Sequence, residues 1–322
     1  MSGPGFPGSG RASGPGRPGR GRVSAPPSVG VVIPTRGDRP GQLREAVEAV
    51  LAQRYAGPLE VVVVADGGPA LAAEAARSLD GLPLRVLPNT RTPGLPGARN
   101  TGIDACATEL IAFCDDDDVW LPGKLAAQAE ALERAGGEFA SCAIEVEHAG
   151  RRVARLAGTG TVTAADLTRS RMMMVHSSTF LFRRGALRPD ESAPAGQNED
   201  WDLALRAAKR RPLVHIDRPL VLVRWARSHY AARWADRIAG LEWMLARHPE
   251  LAVDPCGAAR VYGQLAFSHA ALGQRRAALR WAARTVTTRL LEPRGAIAAA
   301  VAAGLVPASA VLSALQRRGH GI

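Results

Sequence analysis

The sequence predicts an α/β fold, with a mainly parallel sheet flanked by helices, followed by an all-helical C-terminal region. Three observations point there. Short apolar runs at residues 29–33, 60–65, 84–87 and 109–113 alternate with helical stretches at 43–52, 70–80 and 97–107. Such alternation implies right-handed crossovers and a sheet covered on both faces. Beyond Asp254-Pro255 the chain keeps helical character to its end, and 322 residues suit two units at a prior of ~150 residues each.

Taken in order, residues 1–27 are almost all Gly, Pro, Ser and Arg, with Phe6 and Val23 the large apolar exceptions. A segment of that composition buries too little surface to offset its ordering entropy, so a disordered arm is expected there. The first apolar run ends at Pro34-Thr35, and Leu43, Val47, Val50 and Leu51 then follow at helical spacing. The second run closes on Asp66-Gly67-Gly68. After about residue 150 the alternation weakens: 151–163 reads as irregular strand or hairpin, 200–209 as helix, and 233–247 as helix. Residues 262–293 carry Tyr262, Leu265, Ala266, Gly273, Ala277, Ala278 and Pro293, which resembles one tetratricopeptide-type hairpin. A single such unit cannot stand alone and must pack on a neighbour. Residues 296–315 lack charge and could span a bilayer by length. Nine of those twenty are alanine, and Pro307 interrupts them at a helix start, so a buried helix pair is expected instead.

The net charge of +11 would on its own suggest a polyanionic partner. Its distribution changes that. Residues 1–28 hold four Arg and no acid, residues 256–322 nine Arg against one Glu, and the middle 28 bases against 29 acids. The surplus belongs to the ends. No nucleic-acid partner is expected, and a peripheral membrane contact through the ends stays open. The four cysteines, at 106, 114, 142 and 256, show no CxxC spacing, which speaks against structural disulfides and a zinc site. The first residues lack the 7–15-residue apolar core of a signal peptide, so a cytoplasmic protein is expected, with the inner face of the membrane as its alternative station.

The sharpest chemical feature is Cys114-Asp115-Asp116-Asp117-Asp118-Val119-Trp120-Leu121-Pro122, directly after an apolar run. Four adjacent carboxylates repel one another and need a compensating positive charge. A divalent cation supplies it, and carboxylates with water and substrate phosphate suit Mg²⁺ or Mn²⁺. The end of a strand in an open α/β sheet is where ligands bind. The other reading of such a run is a solvated acidic turn.

Five segments in order resemble family 2 glycosyltransferases with the GT-A fold: VGVVIPT at 29–35, EVVVVADGG at 60–68, GARNTG at 97–102, FCDDDDVWLPGK at 113–124 and NEDWDLALR at 198–206. The resemblance covers roughly 29–229 and implies a GT-A domain over 28–229, with 230–322 as the helical region. It also implies inverting transfer of a sugar from a nucleotide-diphosphate donor to a hydroxyl of a glycan, lipid-linked sugar or small molecule. Pro34 and Thr35 would contact the base or ribose, and Asp66 would accept a hydrogen bond from the base. Ala65 stands where many relatives have a further acid. Arg99 would meet the diphosphate. Asp115-Asp116-Asp117 would be the DxD segment, with Asp117 a direct metal ligand and Asp115 facing the ribose or a metal-bound water. Asp118 would orient the loop, Trp120 and Pro122 would pack it, and Lys124 would be a helix-start charge. Asp200 would be the catalytic base, with Glu199 bonded to acceptor or loop backbone. His176-Ser177-Ser178 resembles the acceptor side. His229, in RWARSH at 224–229, resembles the arginine-histidine end of the domain and would approach diphosphate or metal. Met172–Met174 would fill the core or a lid gap.

Other classes fit less well. A nucleotidyltransferase would show a Gly-rich, Lys-containing phosphate loop after the first strand, and a dinucleotide oxidoreductase a GxGxxG; residues 29–36 show neither. A non-catalytic nucleotide-sugar binder, or a scaffold using the Arg-rich ends, is the remaining alternative. It predicts salt-sensitive binding that survives loss of the acidic site.

Overall fold

In the computed structural model, residues 1–3, 25–148, 150–224 and 233–317 are described. Most of the N-terminal arm, and His229 with its neighbours, lie outside them. The first half alternates as its pattern requires: β1 (Val29–Thr35), α1 (Pro40–Leu51), β2 (Leu59–Ala65), α2 (Pro69–Ser78), β3 (Arg85–Pro88), α3 (Leu95–Ala105), β4 (Leu110–Phe113), β5 (Val119–Trp120) and α4 (Lys124–Ala135). Proline opens α1 and α2 at positions where a helix spares an N–H. Gly123 and Gly136 bound α4 in the left-handed region.

The second half contains β6 (Phe139–His148), β7 (Arg151–Arg155), β8 (Thr161–Val162), α5 (Ala164–Arg169), β9 (Leu181–Arg183), α6 (Glu199–Arg210) and β10 (Leu213–Arg224). The strands join one sheet in the order β3-β2-β1-β4-β9-β6-β10-β5. Strands β1 to β4 run parallel, β9 is antiparallel to both β4 and β6, and β10 is parallel to β6. Residues 151–163, expected as irregular strand or hairpin, form β7 and β8, which pair with β6 and β10 rather than with each other. Strand β1 continues through Pro34 and Thr35, two residues past its expected end. Its pairing to β4 stops at Val32 opposite Phe113, so Pro34 lacks an N–H where the β4 ladder has already ended.

Side chains on alternate strand positions feed two cores. Val31, Ile33, Val61 and Val63 pack with α1 and α4 on one face. Val32, Val62, Val64 and Phe113 pack on the other, with Trp201 and Leu203 of α6. That second core does not stop at the sheet. It takes in Leu241 and Met244 of α7 (Trp234–Arg247) and Val261 and Leu265 of α8 (Pro255–Ala271).

Helix α9 (Arg275–Thr288) folds back on α8, and Tyr262 and Trp281 meet with ring centroids 5.3 Å apart. Residues 303–307 split the uncharged stretch into α10 (Pro293–Ala302) and α11 (Ala308–Arg317), as a helix pair requires. Pro307 precedes α11 and offers its carbonyl to Ala310. Among the described residues no helix is long and apolar enough to cross a membrane.

Candidate functional site

The C-terminal ends of β1, β2 and β4 carry Thr35, Asp66 and the acidic run, where parallel strand order diverges to either side of β1. Thr35 Oγ1 donates to Asp116 Oδ2 at 2.7 Å, tying β1 to β4. Both Asp66 oxygens accept hydrogen bonds from the loop before α3, from Asn89 Nδ2 and Gly94 N at 2.9 Å each. Asp66 thus fixes that loop beside the strand ends, while Pro34 is buried within β1.

A cleft of about 700 Å³ opens beside the acidic run that follows β4. Its walls include Arg99, Asp115, Asp117, Asp118, Glu199 and Asp200. Arg99, 1 % exposed, joins the two acidic motifs. It donates to Asp115 Oδ1 at 2.5 Å through one nitrogen and to Glu199 Oε1 through the other. The guanidinium therefore acts as an internal clamp. Asp115 also accepts from Ser177 Oγ at 2.8 Å, and its N–H bonds Ser178 Oγ at 2.9 Å. Trp120 packs as expected, 2 % exposed, with its indole N–H on Ser178 O.

The sequence left compensation of the four carboxylates to a cation. The fold shares that task. Arg39 bonds Asp116 at 2.8 Å and also pairs with Asp117. No motif singles out Arg39, because its partners stand 77 and 78 positions away in the chain. Among the described residues Asp118 pairs with no arginine or lysine; His176 Nδ1 lies 4.0 Å from its Oδ2. Burial pushes the Asp116 carboxyl up to about 6 against the pull of Thr35 and Arg39. Burial and its acidic neighbours raise Asp117, and raise Asp118 further. Burial opposes ionisation of Asp115 as well, but Arg99, His176 and Ser177 together outweigh it and hold that group below its ordinary value.

Asp115, Asp118 and His176 each offer one ligand atom, all within 4.8 Å of one another. Among the described residues His176 Nε2 is buried without a hydrogen-bond partner, and burial pulls the ring below the usual imidazole range, towards the neutral form that ligates. Two carboxylates with an imidazole fit a divalent ion that also binds phosphate oxygens, and the nitrogen donor suits Mn²⁺ at least as well as Mg²⁺. Asp117 stands beside this group rather than in it, committed to Arg39. His176 reaches the group through the short helical turn at residues 177–179, a proximity created by tertiary folding.

Opposite stands the first turn of α6. Asn198 takes a left-handed conformation (φ 61°), one that Asn tolerates, and α6 starts with Glu199, Asp200 and Asp202. Carboxylates there face the positive end of the helix dipole. Burial, aided by Asp200 and Asp115, pushes Glu199 up to about 7 in spite of Arg99. Both Asp200 oxygens accept from Arg171 Nη2, at 3.0 and 3.1 Å. Asp202 turns away from the cleft. Fully buried, it accepts from Arg206, Arg247 and His248, and these bonds pull it down to about 2 against burial. It is an anchor between α6 and α7.

An α/β sheet with acidic motifs facing each other across a cleft at its strand ends fits the GT-A architecture of nucleotide-sugar transferases. The profile described as "Glycosyl transferase family 2" matches residues 30–189. An uncharacterized glycosyltransferase of Bacillus subtilis, YwdF, is 30 % identical over 192 residues, covering 56 % of this chain and 68 % of that protein. The chain belongs to glycosyltransferase family 2. The succinoglycan biosynthesis protein ExoW of Rhizobium meliloti is 37 % identical over 99 residues, 30 % of this chain and 31 % of that protein, so the chain spans about a third of that relative. The mannosyltransferase PcManGT of Pyrobaculum calidifontis, solved with GDP-Man and Mn²⁺, shares the fold at a TM-score of 0.52 and 21 % identity, over 90 % of this chain and 80 % of that one.

Proposed function

We propose that the chain is a metal-dependent, inverting glycosyltransferase that moves a sugar from a nucleotide diphosphate to an acceptor hydroxyl of a glycan, lipid-linked sugar or small molecule. The observation that carries this reading is that one cleft holds Asp115, Asp118 and His176 on one side and Glu199-Asp200 on the other, with Arg99 fixing both. Asp115, Asp118 and His176 would hold the ion, with Asp117 supplying a further carboxylate once released from Arg39. Bound there, a divalent ion neutralises charge on the leaving diphosphate. Asp200 takes the proton of the acceptor hydroxyl as that oxygen attacks the sugar carbon from the face opposite the diphosphate. Glu199, held by Arg99, orients acceptor or backbone. Thr35 and Pro34 line the end of β1 where base or ribose would rest, and Asp66 shapes the loop beside it. The GDP-Man and Mn²⁺ of PcManGT support the donor class and the ion, and the succinoglycan relative supports a glycan acceptor.

A thermal-shift panel of nucleotide diphosphates with and without Mn²⁺ tests the donor half, because a ligand of the native state raises stability by mass action. One nucleotide should raise the melting temperature only with metal, and Asp115→Asn should abolish the shift. Asp200→Asn should keep the shift while transfer falls by about 10²-fold or more. Binding without turnover in the unaltered protein would leave the non-catalytic alternative. Unchanged transfer in both variants would overturn the mechanism.

A further inference from the structure

The cleft extends past Asp200 to a wall of opposite charge. There it is lined by Arg171 from the stretch after α5, Arg237 of α7, Arg260 of α8 and Arg294 of α10. Two of these have no carboxylate among the described residues. Arg237 lies over the Trp234 ring, 5.3 Å from its centroid, and Arg260 lines the cleft without an ion pair to any described residue. Several other cations of the cleft are committed: Arg99 to Asp115 and Glu199, Arg224 to Glu45, and Arg294 to Glu292.

Packing aims these two arginines. On α8, Gly257 is so close to α5 that a Cβ there would stand 2.1 Å from Thr168 O, and Arg260 sits one turn further on the same face. On α7, a Cβ at Gly240 would stand 2.5 Å from Gln197 Cβ, and Arg237 sits one turn earlier. Each helix therefore makes a close contact through a glycine, α8 against α5 and α7 against the residues just before α6, and carries an arginine one turn from that contact. Burial, and the like charge of Arg171, pull Arg237 down to about 10. Gathering unpaired guanidinium groups in a partly buried wall is costly unless an anion is the intended occupant.

We infer that this wall binds an oxyanion, a phosphate or carboxylate carried by the acceptor, between Arg171, Arg237 and Arg260. The inference rests on the transferase reading, in which Asp200 marks the acceptor side, and it narrows the acceptor to a charged molecule. Planar guanidinium groups suit both oxyanions, because each presents parallel donors. Arg171 links the two halves: it now donates to Asp200, and an arriving oxyanion competes for it, so the acceptor's own charge releases the lone pairs that take the proton.

The test is calorimetric, on the full chain, with glucose 1-phosphate, glucuronate and glucose as probes. Each is titrated into protein saturated with UDP and Mn²⁺, and into protein without nucleotide or metal. At least one anion should bind about tenfold more tightly than glucose, and weaken as salt screens the site. Arg237→Ala and Arg260→Ala should each erase most of that preference, with Arg260→Lys restoring part of it. Which anion wins separates the phosphate from the carboxylate source. Equal affinity for glucose and both anions, or a preference indifferent to both arginines, overturns the inference. So does displacement of the anion by UDP, which would assign the arginines to the donor. Failure of every nucleotide diphosphate of the thermal-shift panel, UDP included, to bind with Mn²⁺ counts against the transferase reading instead, and the nucleotide-free titrations still decide the arginine wall.

Discussion

Lys124 opens α4, where the sequence suggests an ordinary helix-start charge, yet it is fully buried. Its Nζ donates to Gln128 Oε1 at 2.8 Å and lies 3.8 Å from the Trp120 ring centroid, with no carboxylate among the described residues paired to it. Burial pulls it down to about 8 from 10.5. Between those values the unfolded chain binds more protons than the folded one, so this group adds stability as pH rises, by about 3 kcal/mol across the window. Lys124→Met should therefore be more stable than the parent near pH 7, less roughly 1 kcal/mol for the lost Gln128 bond, and that advantage should vanish towards pH 10. Urea unfolding at both pH values checks this, and a difference independent of pH would overturn it. The residue scale also shows what a sequence can carry. Asp115, Asp117, Glu199 and Asp200 were legible because each sits in a contiguous motif, and all four line one cleft. Arg39, Arg171 and the grouping of Asp118 with His176 were not, because their partners come from distant segments. His229 lies outside the described residues.

Among the elements, the four parallel strands and the helices between them follow their apolar periodicity to within a few residues. Strands β6 and β10, which complete the sheet, escaped notice for physical reasons. The β6 run FASCAI is buried on both faces and has no alternation to read. Strand β10 slips register on either side of Pro219, which breaks its pattern in mid-strand. Close helix contacts are equally silent in a sequence, and Gly257 shows their cost. Its hydrogen fits where a methyl would strike Thr168 O. Gly257→Ala must push α8 from α5 and is expected to cost about 1–3 kcal/mol. Because Arg260 shares that face, the same shift should weaken binding of the anionic probes while UDP with Mn²⁺ binds as before. Denaturant unfolding and the calorimetric series measure the two effects together, and a variant of parental stability would show that α8 has room to spare.

At the scale of the molecule, charge and core point the same way. The basic surplus of residues 256–322 suggests ends reaching for an anionic surface, but the fold turns Arg260 and Arg294 of that surplus onto the cleft. The helical region is a wall of the site. Val261 and Leu265 share one apolar cluster with Trp201, Leu203 and Leu241, so α8 closes the outer side of the core that α6 lays on the sheet. Helix α11 adds less to the core: Val311 and Leu312 are only partly buried against a separate cluster formed by α8, α9 and α10, although Leu312 also lines the cleft. A chain ending at residue 252 would leave the sheet-side core open beside Trp201, whereas one ending at residue 304 would keep it closed. The first should lose cooperative unfolding and bind no nucleotide. The second should unfold in one transition, with far-UV dichroism and tryptophan fluorescence coinciding, at a loss of about 1–2 kcal/mol. Cooperative unfolding of the shorter chain, with UDP and Mn²⁺ still bound, would instead make residues 253–322 a separate domain that merely borders the cleft.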